Sequence, residues 1–216
     1  MTYREWLLLS EDEAIRQRMA DDAYSMAYPA LLSHFAGIKN LDWDAALLGL
    51  HIVYGWMPTI PKLGAIMRWE DAERNKLVAA LTKAKYGETP TADELKTIME
   101  FCNNSMIGAS KLLHFLNSMA FPIWDSRVAK VFLKNPKAGG QRVNNIEPWI
   151  TYRTALCAWV DNGEVKEKCE ALRALACFLE GVSDLRLVEL VMFHKTVSKR
   201  KQWNNSFMRL KEPHQG

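Results

Sequence analysis

Apolar positions recur along this chain at intervals of three and four rather than two, the signature of helices that bury one face. Leu95, Ile98, Met99 and Cys102 line such a face. Ahead of them, Thr91-Ala92-Asp93-Glu94 forms a capping box, in which the Thr91 hydroxyl accepts from an amide three residues on and Glu94 reaches back. These residues predict a helix to about Asn103. Ser10-Glu11-Asp12-Glu13 has the same form and predicts a helix to about Ala27. Similar spacing predicts helices over 42–54, 69–85, 108–117, 125–133, 145–160, 164–180 and 183–194. Proline and glycine break the pattern at 55–64, 85–91, 119–122 and 135–140 and near Gly181. No strand pair, internal repeat or low-complexity tract stands out. The expected fold is all-α, with about eight to ten helices of ordinary length.

With 216 residues, 49% of them hydrophobic, the chain is long and apolar enough to bury a core as one unit over 1–216. The longest nearly apolar run, Ala45 to Pro58, is interrupted by His51 and two glycines and is too short to span a bilayer. The opening "MTYREWLLLSEDE" lacks the apolar core and small-residue cleavage site of a secretory signal, so a cytoplasmic protein is expected. Cys102, Cys157, Cys169 and Cys177 show no metal-binding spacing and are expected to be buried thiols, with no metal and no cofactor.

The net charge of +3 is unevenly spread. Between Glu189 and Glu212 no acidic residue occurs, whereas Lys195, Lys199, Arg200, Lys201, Arg209 and Lys211 are basic, with Trp203 and Phe207 among them. Such a stretch suits a phosphate backbone, with Trp203 available to stack on a base; it also suits a solvated basic tail.

Two ionisable groups sit in unusually apolar company. Lys111 lies among Leu112, Leu113, Phe115 and Leu116, and Asp125 follows Phe121-Pro122-Ile123-Trp124, fourteen positions after the lysine. The pair reads either as an ion pair tethering two helices or as catalytic groups. A short turn carrying Gly108 joins the helix from Thr91 to the one bearing Lys111, a hairpin whose amides could hold a phosphate oxygen. His114, beside the lysine, reads as a packed histidine rather than a base.

"IGASK" followed by "PIWDSRV" resembles the helix-hairpin-helix DNA glycosylase superfamily, in which a hairpin glycine precedes a catalytic lysine and an aspartate opens the next helix in a "P-V-D-T-H-V"-like stretch. With a lysine at the nucleophile position and no iron–sulfur cysteine cluster, it looks most like the 8-oxoguanine glycosylase branch. The hairpin has one glycine where the family has two, the lysine-to-aspartate interval is shorter, and Trp124 interrupts the Pro-x-Asp arrangement. The resemblance implies two helical lobes around a cleft, a central lobe of about 65–135 facing the N- and C-terminal helices. It implies Lys111 as nucleophile and Asp125 as the stabilising carboxylate, both facing that cleft. Gly108, Ser110, Arg127, Lys199, Arg200 and Lys201 are then expected at double-stranded DNA, and His51, Tyr54, Trp56 and Trp203 around an extruded base. The expected activity is excision of an oxidised base such as 8-oxoguanine, with abasic-site lyase activity, by a monomer. The alternatives are a helical DNA-binding module without chemistry and a helical protein-interaction protein.

Overall fold

A computed structural model describes residues 1–57, 59–140 and 143–196. These residues are helical, with no strand among them. The chain runs through α1 (Tyr3–Ser10), α2 (Glu13–Ala20), α3 (Ala23–Met26), α4 (Tyr28–Gly37), α5 (Trp43–Trp56) and α6 (Asp71–Lys85). It continues with α7 (Ala92–Phe101), α8 (Met106–Leu116), α9 (Ser126–Phe132), α10 (Ile146–Val160), α11 (Gly163–Arg173) and α12 (Asp184–Lys195).

The box at Thr91 forms as expected: the Glu94 amide donates to the Thr91 hydroxyl, and the Thr91 amide donates back to Glu94. The box at Ser10 does not. Thr2 and Glu5 cap α1 instead, and Ser10 ends that helix with its hydroxyl donating to the Leu7 carbonyl. Asp12 caps a separate helix, accepting from Ala14 and Ile15. Trp6 of α1 and Met19 of α2 are both buried, and both helices pack on α12. The helix expected to run to about Ala27 stops at Ala20, and the short α3 follows it. The helix expected over 164–180 likewise stops at Arg173, followed by a 3-10 turn at Cys177–Leu179 and a left-handed Gly181, φ 73°. Arg173 closes that corner, donating to the Val182 carbonyl and pairing with Asp184.

Two helices organise the interior. α8 packs against α4, α5, α6 and α7, and α12 packs against α1, α2, α9, α10 and α11. Leu112, Leu113, Phe115 and Leu116 of α8 are buried, each contributing roughly 1.5–3 kcal/mol by leaving water. In α12 every residue from Leu185 to Met192 is buried, which includes Arg186 and Glu189. A central helix that carries charge must satisfy it within the protein.

The junction between α7 and α8 is a tight turn in which Asn103 and Asn104 adopt left-handed conformations, φ 59° and 53°. Asparagine tolerates that region better than other side chains. Asn103 also brackets a neighbouring loop, accepting from the Lys62 amide and donating to the Ile60 carbonyl. Asn144 does the same for the turn, accepting from the Met106 amide and donating to the Asn104 carbonyl.

Candidate functional site

Gly108 is not in the turn. It lies in the first turn of α8, with its amide donating to the Ser105 hydroxyl that caps the helix. A glycine is needed there because a Cβ would stand 2.5 Å from the Tyr54 hydroxyl, which donates to the Cys102 carbonyl. Gly108→Ala is therefore expected to destabilise the protein by about 1–3 kcal/mol, the usual cost of overfilling a core. Urea unfolding checks this, and Tyr54→Phe in the same chain should recover much of the loss. An unchanged midpoint in Gly108→Ala would leave the close approach without energetic weight.

Ser110 is a latch rather than a surface contact. Its buried Oγ accepts from the Trp124 amide at 3.0 Å and lies 3.2 Å from the Trp124 carbonyl, while the Trp124 indole donates to the Val143 carbonyl. With Phe121, Ile123 and Trp124 buried, this clamps the apolar stretch onto α8 and delivers Asp125 to the start of α9. Asp125 caps that helix, accepting from the Arg127 and Val128 amides at 2.8 and 3.0 Å.

Lys111 and Asp125 are both partly exposed and close enough for the carboxylate charge to act on the amine. They form no ion pair. Lys111 instead lies over the Trp56 ring, its Nζ 5.5 Å from the centroid, with no hydrogen bond or salt bridge among the described residues. Loss of water lowers the Lys111 pKa below the ordinary lysine value; Asp125 and Glu189 oppose that, and the charges of Arg186 and Arg127 add to it. The tethering interpretation of the pair thus fails on geometry: no salt bridge joins Lys111 and Asp125, and the Asp125 Oδ1 caps α9.

Behind them lies a charged and aromatic layer that local sequence patterns did not reveal. Arg186 pairs with Glu189 one turn along α12 and sits over two rings, 5.2 Å from the Tyr28 centroid and 5.5 Å from that of Trp56. Burial pushes Glu189 up to about 7 against the pull of Arg186, with the Asp125 charge adding to the rise. Burial also raises the Tyr28 and Tyr152 phenols, so both stay neutral. Tyr152 donates to the Ile123 carbonyl and Tyr28 reaches His114 at 2.6 Å.

His114 is packed, as expected. Its Nδ1 faces the Phe121 carbonyl at 2.7 Å and must donate, leaving Nε2 to accept from Tyr28. Burial and the Arg186 charge hold its pKa down to about 3 from an ordinary 6.5. A histidine kept neutral this way stabilises the fold above pH 6.5, and that stability is lost as pH falls toward 3. Glu189 acts oppositely between 7 and 4.5, since the folded form holds its proton more tightly. Urea unfolding should therefore show little net change from these two groups down to pH 4.5, then a loss of about 2 kcal/mol from His114 by pH 3. His114→Gln should flatten the lower limb; an unaltered slope in that variant would contradict the assignment.

The other residues singled out from the sequence fall in different places. Trp56 joins Lys111 and Arg186 at the site. Tyr54 is core, and His51 is exposed on α5 with its Nδ1 at the Leu47 carbonyl, so neither lines a pocket with Trp56. Arg127 is exposed and stacks over Phe193 at 4.6 Å. Lys199, Arg200, Lys201 and Trp203 lie outside the described residues. Cys102 and Cys169 are buried, whereas Cys157 is half-buried and Cys177 exposed, because the helix expected to cover Cys177 ends before it. Among the described residues no group of three or more His, Cys, Asp and Glu side chains is arranged to hold a metal ion. No described helix is long and apolar enough to cross a membrane.

Comparison with known proteins gives no matching family, no matching curated protein and no matching solved structure.

Proposed function

We propose that this chain is a DNA glycosylase with abasic-site lyase activity, acting as a monomer on double-stranded DNA and excising an oxidised base such as 8-oxoguanine. The observation that carries the proposal is the Lys111 amine: desolvated, without a salt bridge or hydrogen bond among the described residues, lowered in pKa and within reach of the Asp125 charge. A lysine used only for solubility would extend into water, and one used only as a tether would hold a carboxylate. An amine kept partly dry and without a carboxylate partner among the described residues is primed as a nucleophile.

In this mechanism the neutral Lys111 Nζ forms a bond to C1′ of the sugar as the bond from C1′ to the base breaks. The electron pair leaves with the base, which takes up a proton. The developing positive charge on the sugar is stabilised by Asp125, whose position is fixed by its capping bonds. Opening of the sugar ring, with a proton passing to its ring oxygen, then gives a Schiff base to Lys111. Loss of a C2′ proton expels the 3′ phosphate and cuts the strand. In this reading the two lobes are the helices around α8, with α4 and α5 among them rather than in the N-terminal lobe of the expectation, and those around α12, with α9 among them; Lys111 comes from the first and Glu189 and Arg186 from the second.

Trp56 suits the role of stacking surface for the extruded base. Gly108 and Ser110 leave the DNA-contacting set, because the amide of one and the hydroxyl of the other are already used within the protein. Arg127, with Lys199, Arg200, Lys201 and Trp203, remains to meet phosphate and base.

The test is borohydride trapping on a duplex carrying an abasic site, run beside single-turnover excision of 8-oxoguanine and other modified bases. A covalent adduct and strand cleavage are expected. Tight, salt-dependent DNA binding without an adduct on any substrate would instead identify a binding module without chemistry.

A further inference from the structure

Glu189 is wholly buried at the middle of α12, yet only one of its two carboxylate oxygens is used. Oε2 pairs with Arg186, while Oε1 has no hydrogen-bond partner among the described residues. A buried, unsatisfied carboxylate oxygen is costly and calls for a reason. Its surroundings offer one. Arg186, its partner, lies over the same Trp56 ring as the Lys111 amine, each 5.5 Å from the centroid, so the ring brings α12 and α8 to one place. Lys111 likewise holds no salt bridge or hydrogen bond among the described residues.

We propose that Glu189 acts through Lys111 as its buried counter-charge, so that the charge on the carboxylate of α12 decides how tightly the amine of α8 holds its proton and hence whether Lys111 is a nucleophile. This rests on the reading of Lys111 as the reacting group. Glu189 is a positioning residue here, since no reacting atom of the substrate meets it.

The charged and titratable groups that act on Glu189 and its partner come from several elements. Arg186 stands on its own helix, Lys111 on α8, Asp125 at the cap of α9, Tyr28 on α4 and Tyr152 on α10. The two tyrosines stay neutral, and Arg186 stays charged as Glu189's partner. Asp125 shares with Glu189 the work of holding a proton on Lys111, and Arg186 and Arg127 work against it. Burial lowers the amine and raises the acid toward about 7, which brings the protonated amine with carboxylate and the neutral amine with carboxylic acid closer in energy than they would be in water. When Nζ bonds to carbon it must shed a proton, and the Glu189 charge sets how readily it does so. The proton leaves to solvent, to which Lys111 is partly exposed, the nitrogen keeps its electron pair, and nothing is oxidised or reduced.

The test is made on the full-length protein without DNA. Trace labelling with acetic anhydride across a pH series, read at the Lys111 peptide by mass spectrometry, follows the free amine directly. Glu189→Gln removes a negative charge from the amine's surroundings, so half-labelling should move to lower pH by about one unit, a roughly tenfold rise in free amine below the midpoint. Glu189→Asp keeps the charge and should return the midpoint toward the wild-type value. The same midpoint in wild type and Glu189→Gln overturns the proposal, as does an equal displacement in both variants. Should circular dichroism show Glu189→Gln unfolded, the wild-type curve decides: coupled groups give a titration shallower than a single site, and a single-site slope overturns the proposal. A shifted midpoint with no Schiff base on abasic DNA would retain the coupling and remove the glycosylase reading; an unshifted midpoint with intact trapping would do the reverse.

Discussion

Lys111→Ala should form no borohydride-trapped adduct and cut no abasic-site strand, while keeping most of its affinity for duplex DNA. Affinity for DNA is carried chiefly by phosphate contacts and counterion release, and the half-buried Lys111 amine is directed at Trp56. The fold should survive. Lys111 holds no salt bridge among the described residues, so its removal costs mainly the contact with the Trp56 ring, roughly 0.5–1 kcal/mol, and the burial of its methylenes. Trapping gels, a salt titration of binding and a thermal melt on one preparation separate these effects. An adduct that persists in Lys111→Ala would move the nucleophile elsewhere.

The second large effect is expected at Asp125. Asp125→Asn should slow base release by about 10²–10³-fold, in the range seen when one preorganised electrostatic group is removed, with little change in binding. The substitution is clean for a structural reason. Asp125 caps α9 through the Arg127 and Val128 amides, and asparagine caps about as well as aspartate, so charge is lost and geometry kept. Asp125→Ala removes both and should add about 1 kcal/mol of destabilisation on top of the rate effect. Single-turnover rates for the two variants, set beside their urea midpoints, divide the roles. A rate for Asp125→Asn within a few-fold of wild type would reduce Asp125 to a helix cap.

The helical class and the element that matters most were legible in the sequence because they depend on short-range chemistry. The Thr91–Glu94 box closes within four residues, and the three-and-four spacing of Leu95, Ile98, Met99 and Cys102 follows from the pitch of one helix. Lys111 and Asp125 drew attention for a similar reason: each sits in a short apolar run that no surface helix needs. What local pattern could not supply was competition between signals. Ser10 read as a cap, but Asp12 caps α2 while Ser10 ends α1, and both helices then pack on α12. Gly108 looked like a turn residue because glycine is common in turns, but its reason is the Tyr54 hydroxyl, a residue far away along the chain.

The charged layer behind Lys111 was decided by tertiary structure alone. In the sequence, Arg186 and Glu189 are an ordinary one-turn pair on an amphipathic-looking helix, the kind that faces water in most proteins. They become buried because α12 is surrounded by α1, α2, α9, α10 and α11, and no local spacing states how many neighbours a helix will have. Burial then raises the carboxylate, lowers the amine across from it and keeps His114 neutral. The residue types were given by the sequence; their protonation depends on how much water the surrounding helices leave them, which only the folded chain determines.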